Sequence, residues 1–326
     1  MLGVDRDRNA HRPRGDDDLS GLLPRVLGMT TTTATLLPAP VLGSLSPSRA
    51  SDFMTCPLLY RFRVIDRIPE APSAAATRGT VVHSVLERLY DLPAVGRTPE
   101  AALDLLGPEW LRLLEEEPEL AGLFDDDKER DDWLASARDL LRGYFELEDP
   151  TRLEPAEREL RVETTLESGL VLRGYVDRLD IASSGDLRIV DYKTGRAPGE
   201  GFEAKAMFQM RFYALALWRL RGRVPRLLQL IYLGSGEILR YEPDVADLLA
   251  TERKLVALWE AVRRATETGD WRPRRSRLCD WCDHKSRCPE FGGTPPPLPE
   301  LPSPEQAVAA DPADEAPSPH APRDEV

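Results

Sequence analysis

GYVDRLDIASSGDLRIVDYKTG, residues Gly174–Gly195, is the stretch on which the reading of this chain turns. Two runs rich in β-branched and aromatic residues, LVLRGYVDRLDIA and DLRIVDYKTG, flank the turn-forming SSGD. That is the pattern of a β-hairpin. A turn near Ser184 predicts that Asp177 lies opposite Asp191. Strand alternation then puts Lys193 on the face of Asp191 and turns Tyr192 to the other side. Like charges directly across a ladder are destabilising. An exposed, solvated face would tolerate them. But GYV before Asp177 and RIV before Asp191 read as buried strand, where a carboxylate without a partner is costly. A divalent cation resolves the conflict, because hard oxygen ligands converge on it and it offsets their repulsion. A lysine beside such a site can position or help deprotonate a water, or stabilise charge on a phosphate.

Two helical patterns bracket the hairpin. In RGTVVHSVLERLYD, Arg78–Asp91, residues Val81, Val82, Val85, Leu86 and Leu89 form an apolar stripe. His83 and Glu87 stand four apart and share a face. Downstream, FQMRFYALALWRL, Phe208–Leu220, is a strongly apolar helix with Gln209 and Tyr213 again four apart. A buried glutamine there needs a hydrogen-bond partner. Before the hairpin, PAERELRVETTL reads as a strand carrying Glu157, Glu159 and Glu163; its place ahead of the apolar alternation favours Glu157 as a site acid.

The four cysteines are Cys56, Cys279, Cys282 and Cys288, the last three within CDWCDHKSRCP. Clustered cysteines in a cytosolic chain point to metal rather than to disulfides. Four thiolates suit zinc or an iron–sulfur cluster, and the spacing does not choose between them.

Taken together, Asp177 and Asp191-Tyr192-Lys193 resemble the core of the PD-(D/E)xK nucleases. Gly79-x-x-x-His83 and Gln209-x-x-x-Tyr213 resemble the flanking motifs of the RecB-type subgroup. SPSRASDFMTCPLLYRF, Ser46–Phe62, resembles the opening motif of the iron–sulfur RecB-like nucleases, such as the C-terminal domain of the AddB subunit and the CRISPR-associated RecB-like nucleases. The order C, GxxxH, GxxD, DxK, QxxxY, CxxCx5C spans residues 44–291. The resemblance implies an α/β fold with a restriction-endonuclease-like core, a central mixed sheet flanked by helices and closed by a four-cysteine cluster. It implies Mg2+ or Mn2+ on His83, Asp177, Asp191 and the Tyr192 carbonyl. Catalytic roles then fall to Lys193, Asp177, Asp191, Gln209 and Tyr213, with Glu87 and Glu157 as further candidates. It implies a 4Fe–4S cluster on Cys56, Cys279, Cys282 and Cys288, with zinc as the alternative and His284 as a fourth zinc ligand should Cys56 stand aside. The activity implied is a metal-dependent DNA exonuclease favouring single-stranded ends, in repair or recombination. A non-catalytic iron–sulfur DNA-binding module, a redox protein or an adaptor for a separate helicase are the competing readings.

Composition sets the frame. The chain has 326 residues, 41% of them hydrophobic, and a net charge of −13. That balance argues against a nucleic-acid partner until its distribution is read. The acid is concentrated in residues 109–132 and 292–326, while Trp271–Cys288 carries six bases against two acids, so a locally basic face is available. Residues 1–43 mix charges, threonines and prolines without a period, and Met29 before TTTT could be the true start. Residues 292–326 hold 10 prolines and read as a disordered acidic tail. The acidic segment 91–152 reads as helical, a lid or a guard against loose DNA binding. No run of about 18 apolar residues marks a membrane helix, and no secretory signal is evident, so the expected location is the cytoplasm. The chain has no G-x4-GK-[ST] phosphate loop, so any unwinding would need a separate helicase.

Overall fold

Five strands form one sheet in the order β1 (Glu157–Thr165), β2 (Val171–Ile181), β3 (Leu187–Lys193), β4 (Leu227–Tyr232) and β5 (Glu237–Tyr241). The computed structural model describes residues 44–199 and 203–299; the extension expected at 1–43 and the tail from 300 onward lie outside them. Hairpins join β1 to β2, β2 to β3 and β4 to β5, all antiparallel. β3 and β4 run parallel. A parallel pair needs a crossover, and the apolar helix α5 (Glu203–Arg221) supplies it. The sheet is therefore mixed, and helices flank it.

The two central strands are buried on both faces, as their near-continuous apolar sequence requires. Ile189, Leu228, Leu230 and Tyr232 pack into one core with α1 (Pro47–Thr55), α5 and α6 (Val245–Thr268). Val190, Tyr192, Ile231 and Leu233 pack into a second core on the opposite face. There α2 (Ala74–Leu89) meets α3 (Pro99–Glu116) and α4 (Asp127–Leu147). The stripe read in the sequence is the buried stripe: Val81, Val82, Val85, Leu86 and Leu89 are at most 1% exposed. The acidic segment folds as α3 and α4, joined through Trp110, Phe124 and Trp133. Ser73, Thr98, Asp126 and Asp244 cap the N-termini of α2, α3, α4 and α6 by accepting backbone N–H groups.

The N-terminal end of the described chain meets the sheet and the C-terminal end meets the segment after α1. Leu45 bridges Leu172 in parallel. The Arg61 guanidinium donates to the carbonyl of Pro296. Among the described residues no helix is long and apolar enough to cross a membrane.

Candidate active site

The β2–β3 register is the one the turn predicts: Arg178 pairs with Val190 and Leu179 with Ile189. The next position toward the open end brings Asp177 opposite Asp191, and there the ladder changes partner. The Tyr192 amide donates to Asp177 Oδ2 at 2.9 Å instead of to a backbone carbonyl. β3 keeps its pairing with β4 through Asp191, Tyr192 and Lys193. A gap opens between two strands at the end of the sheet, and the two aspartates flank it.

On the α5 side a chain of polar contacts runs through the apolar core. Lys193 Nζ lies 3.0 Å from Asp191 Oδ2 and donates to Gln209 Oε1 at 2.8 Å. Gln209 Nε2 donates to Asp191 Oδ1 at 3.1 Å and stands 3.3 Å from the Tyr213 hydroxyl. Lys193 and Asp191 are each 2% exposed. Burial pushes the Asp191 carboxyl up to about 6, Asp177 adds to the rise, and Lys193 and His83 oppose it. Burial likewise raises the Tyr213 phenol well above its ordinary value. Gly174 makes room for that ring, since a Cβ there would stand 2.8 Å from Tyr213 Cε1. The glycine of G-x-x-D is thus a clearance for the tyrosine of Q-x-x-x-Y.

From the other side α2 brings His83. Its Nε2 lies 2.7 Å from the Tyr192 carbonyl and its Nδ1 3.2 Å from Asp177 Oδ2. The carbonyl can only accept, so Nε2 carries a hydrogen in this arrangement.

β1 contributes the remaining acid. The structure does not bring Glu157 to the site; it is exposed, 3.8 Å from Arg221. Glu159 is the residue that stands with His83 and Asp177, each offering a donor atom within 4.8 Å of the others. Glu159 has φ of +43°, a conformation costing about 1–3 kcal/mol that persists where its surroundings enforce it. The sequence held the signal: Arg158 pairs with Arg178 and Leu160 with Val176, which places Glu159 opposite Asp177. The turn near Ser168 fixes that register as Ser184 fixes the next. Glu87 lines the same cleft together with Arg158, whose guanidinium donates to the Glu87 carbonyl and to Asp91.

Behind Tyr192 lies a residue the motifs did not single out. Arg178 is 1% exposed. It donates to both oxygens of Glu148 at 2.8 and 2.9 Å, and to the hydroxyls of Tyr90 and Tyr192. The arginine fork thus ties α4 to the strand end that carries the site.

The four cysteines, none in a disulfide, line one cavity where α1 meets the C-terminal segment. The Arg274 amide donates to Cys56 Sγ at 3.3 Å and the Ser276 amide to Cys279 Sγ at 3.4 Å. Backbone amides of His284 and Glu290 donate to Cys282 and Cys288, and burial raises both thiols. The His284 ring is turned to Glu70, with Nε2 2.7 Å from Oε1, and packs on Phe62.

The family model of the PD-(D/E)XK nuclease superfamily matches residues 44–289, the span that holds every one of these groups. The chain belongs to that superfamily. Two curated relatives match over nearly their whole length. The Gene 69 protein of Mycobacterium phage D29 is 26% identical over 285 residues, 76% of this chain and 96% of its own length. The Gene 69 protein of Mycobacterium phage L5 is 26% identical over 305 residues, 80% and 99% respectively. Among solved structures, the "Putative exonuclease" of Eubacterium rectale overlays at a TM-score of 0.48 with 13% identity, covering 82% of this chain and 93% of that one. As a PD-(D/E)XK nuclease the protein is a phosphodiester hydrolase that acts on DNA and uses divalent metal. The mixed five-stranded sheet flanked by helices accords with the restriction-endonuclease-like core of that superfamily.

Proposed function

We propose that this nuclease is a RecB-type, iron–sulfur exonuclease that degrades single-stranded DNA ends in repair or recombination. The observation that carries the chemistry is the meeting of two groups at one gap in the sheet. Lys193, Asp191, Gln209 and Tyr213 stand on one side, and His83, Glu159 and Asp177 on the other. These residues fit a hard cation. Asp177, Asp191 and Glu159 supply oxygen, His83 a nitrogen, and Tyr192 a carbonyl that already faces His83. Bound Mg2+ or Mn2+ supplies a Lewis acid that lowers the pKa of a coordinated water and neutralises the phosphate.

The chain's own groups do the rest. Lys193, fixed by Gln209 and buried away from water, points its ammonium at the same carboxylate that holds the cation. It orients the attacking water or stabilises charge growing on the phosphate. Tyr213 holds Gln209 in place. The apolar walls of α5 and α2 keep the dielectric low and the ammonium–carboxylate geometry fixed.

Four cysteines around one cavity suit an iron–sulfur cluster held by thiolates. The amide donors on all four sulfurs suit thiolates. His284 engages Glu70 through Nε2. The cluster would fasten Cys56 to the C-terminal segment and so close the domain.

The test is degradation of a 5′-labelled single strand by anaerobically purified protein, with iron, sulfide and zinc measured on the same sample. A metal-dependent ladder, abolished by EDTA, with iron and sulfide bound, is expected. Binding without cleavage by a loaded, folded protein would favour a non-catalytic module, and zinc in place of iron would overturn the cluster assignment.

A further inference from the structure

The segment that carries three of the cysteines presents an aromatic and basic surface to solvent. Trp281, between Cys279 and Cys282, is 76% exposed. It does not line the cysteine cavity; the chain turns its indole outward. Phe291 is 37% exposed, with Arg275 and Lys285 over its ring at 5.3 and 5.0 Å. Arg275, Arg277 and Arg287 are exposed and, among the described residues, have no acidic partner. This sits on a chain whose net charge is −13. The other tryptophans described are covered or half-covered, so among the described residues this one alone is left out of the core.

We propose that this face is a base-stacking platform for single-stranded DNA, distinct from the cleavage site and feeding it. The inference rests on the nuclease reading and adds a second place where the same substrate is held. An exposed indole offers a π-face to any base, and flanking guanidinium groups track the phosphates; together they bind single strands without reading sequence. α1 links the two places. Its first residue, Pro47, touches the position of Gly174 beside Tyr213, and Cys56 at its other end opens onto the cysteine cavity. At 1.5 Å per residue that helix spans about 14 Å, or roughly four nucleotides of a stacked strand at 3.4 Å each. A strand stacked beside the cysteine cavity would run along that helix to meet the gap between β2 and β3. Double-stranded DNA, whose bases are already stacked, gains nothing from the indole.

The test compares the loaded protein with Trp281→Ala, Trp281→Phe and Arg277→Ala. Each is titrated by fluorescence anisotropy with labelled oligothymidylates of graded length and a blunt duplex, in EDTA to block cleavage. Trp281→Ala is expected to weaken single-strand binding by roughly five- to thirtyfold while leaving duplex binding unchanged. Trp281→Phe should restore most of the loss. Arg277→Ala should lower the salt slope by about 0.7, as loss of one phosphate contact on a single strand requires. Iron content and melting temperature, read on each variant, separate this from a damaged cysteine site. Equal oligonucleotide affinity of Trp281→Ala and wild type overturns the proposal. So does a change in elution from dimer to monomer with unchanged affinity, which would make the face a contact between copies. Failure of the nuclease reading shows differently: no cleavage by wild type, whatever Trp281 does.

Discussion

Asp191 holds a carboxyl where water barely reaches it, and the consequence is a pH signature. Its pKa in the folded, metal-free protein is about 6, against 3.8 for the ordinary group. The folded state therefore takes up this proton before the unfolded chain does. Asp191 favours folding fully below about pH 4, and that contribution is lost as pH rises through about 6. At neutral pH the charged carboxylate beside Asp177 costs stability, and a cation offsets it. Mn2+ at a hundredfold excess over its Kd is expected to raise the melting temperature by about 5–10 °C at pH 7.5. At pH 5, where protons compete, the rise should shrink; a shift independent of pH, followed by thermal denaturation, would contradict the role of Asp191. Glu159→Gln should weaken Mn2+ binding by roughly tenfold or more in calorimetry, and Glu157→Gln should leave it unchanged. The pairing of Asp177 with Asp191 was legible because a short turn fixes the register. The choice of Glu159 over Glu157 needed the register of the preceding hairpin as well, and the kink at φ +43° leaves no mark in the alternation.

Among elements, α4 and β2 are joined by a buried ion pair. Arg178 and Glu148, 1% and 8% exposed at the side chain, form a two-pronged pair behind Tyr192. Removing one member of such a pair leaves the other charged and buried, at a cost of about 3–5 kcal/mol. Arg178→Met should lower the unfolding free energy by that amount in urea titrations, and Arg178→Met with Glu148→Met should recover most of it. No recovery would mean that Arg178 matters for its contacts with Asp180, Tyr90 and Tyr192 instead. That the acidic segment folds as helices was readable in the sequence. Their attachment was not, because Glu148 and Arg178 lie in different elements and nothing local to either one announces the other. The segment is fastened at Glu148 to the strand end that holds the site.

At the scale of the whole molecule, the sheet, the helices and the cysteines are arranged around two openings. One lies between β2 and β3 and gathers residues drawn from α2, β1, β2, β3 and α5. The other brings together Cys56 and three cysteines more than 200 positions away. The β2–β3 hairpin and the apolar helices could be read from the sequence, because period-two and helical patterns are local; the mixed sheet was read from resemblance. The convergence of Cys56 on Cys279, Cys282 and Cys288 could be read only from resemblance, since sequence spacing carries no distance across the fold. The acids of α3 and α4 form their own exposed pairs, such as Lys128 with Asp132 and Arg112 with Glu116. Each contributes little to stability. Part of the negative charge is thus held on α3 and α4, away in sequence from the basic segment Trp271–Cys288. The central claim is that Lys193 acts on the reacting groups and that the carboxylates and His83 hold the metal. Its most direct test is Lys193→Ala, assayed for cleavage of an end-labelled single strand and, on the same sample, for Mn2+ binding. The account predicts cleavage lower by about a hundredfold or more with Mn2+ still bound. Cleavage that survives, or cleavage and Mn2+ binding lost together, would contradict it.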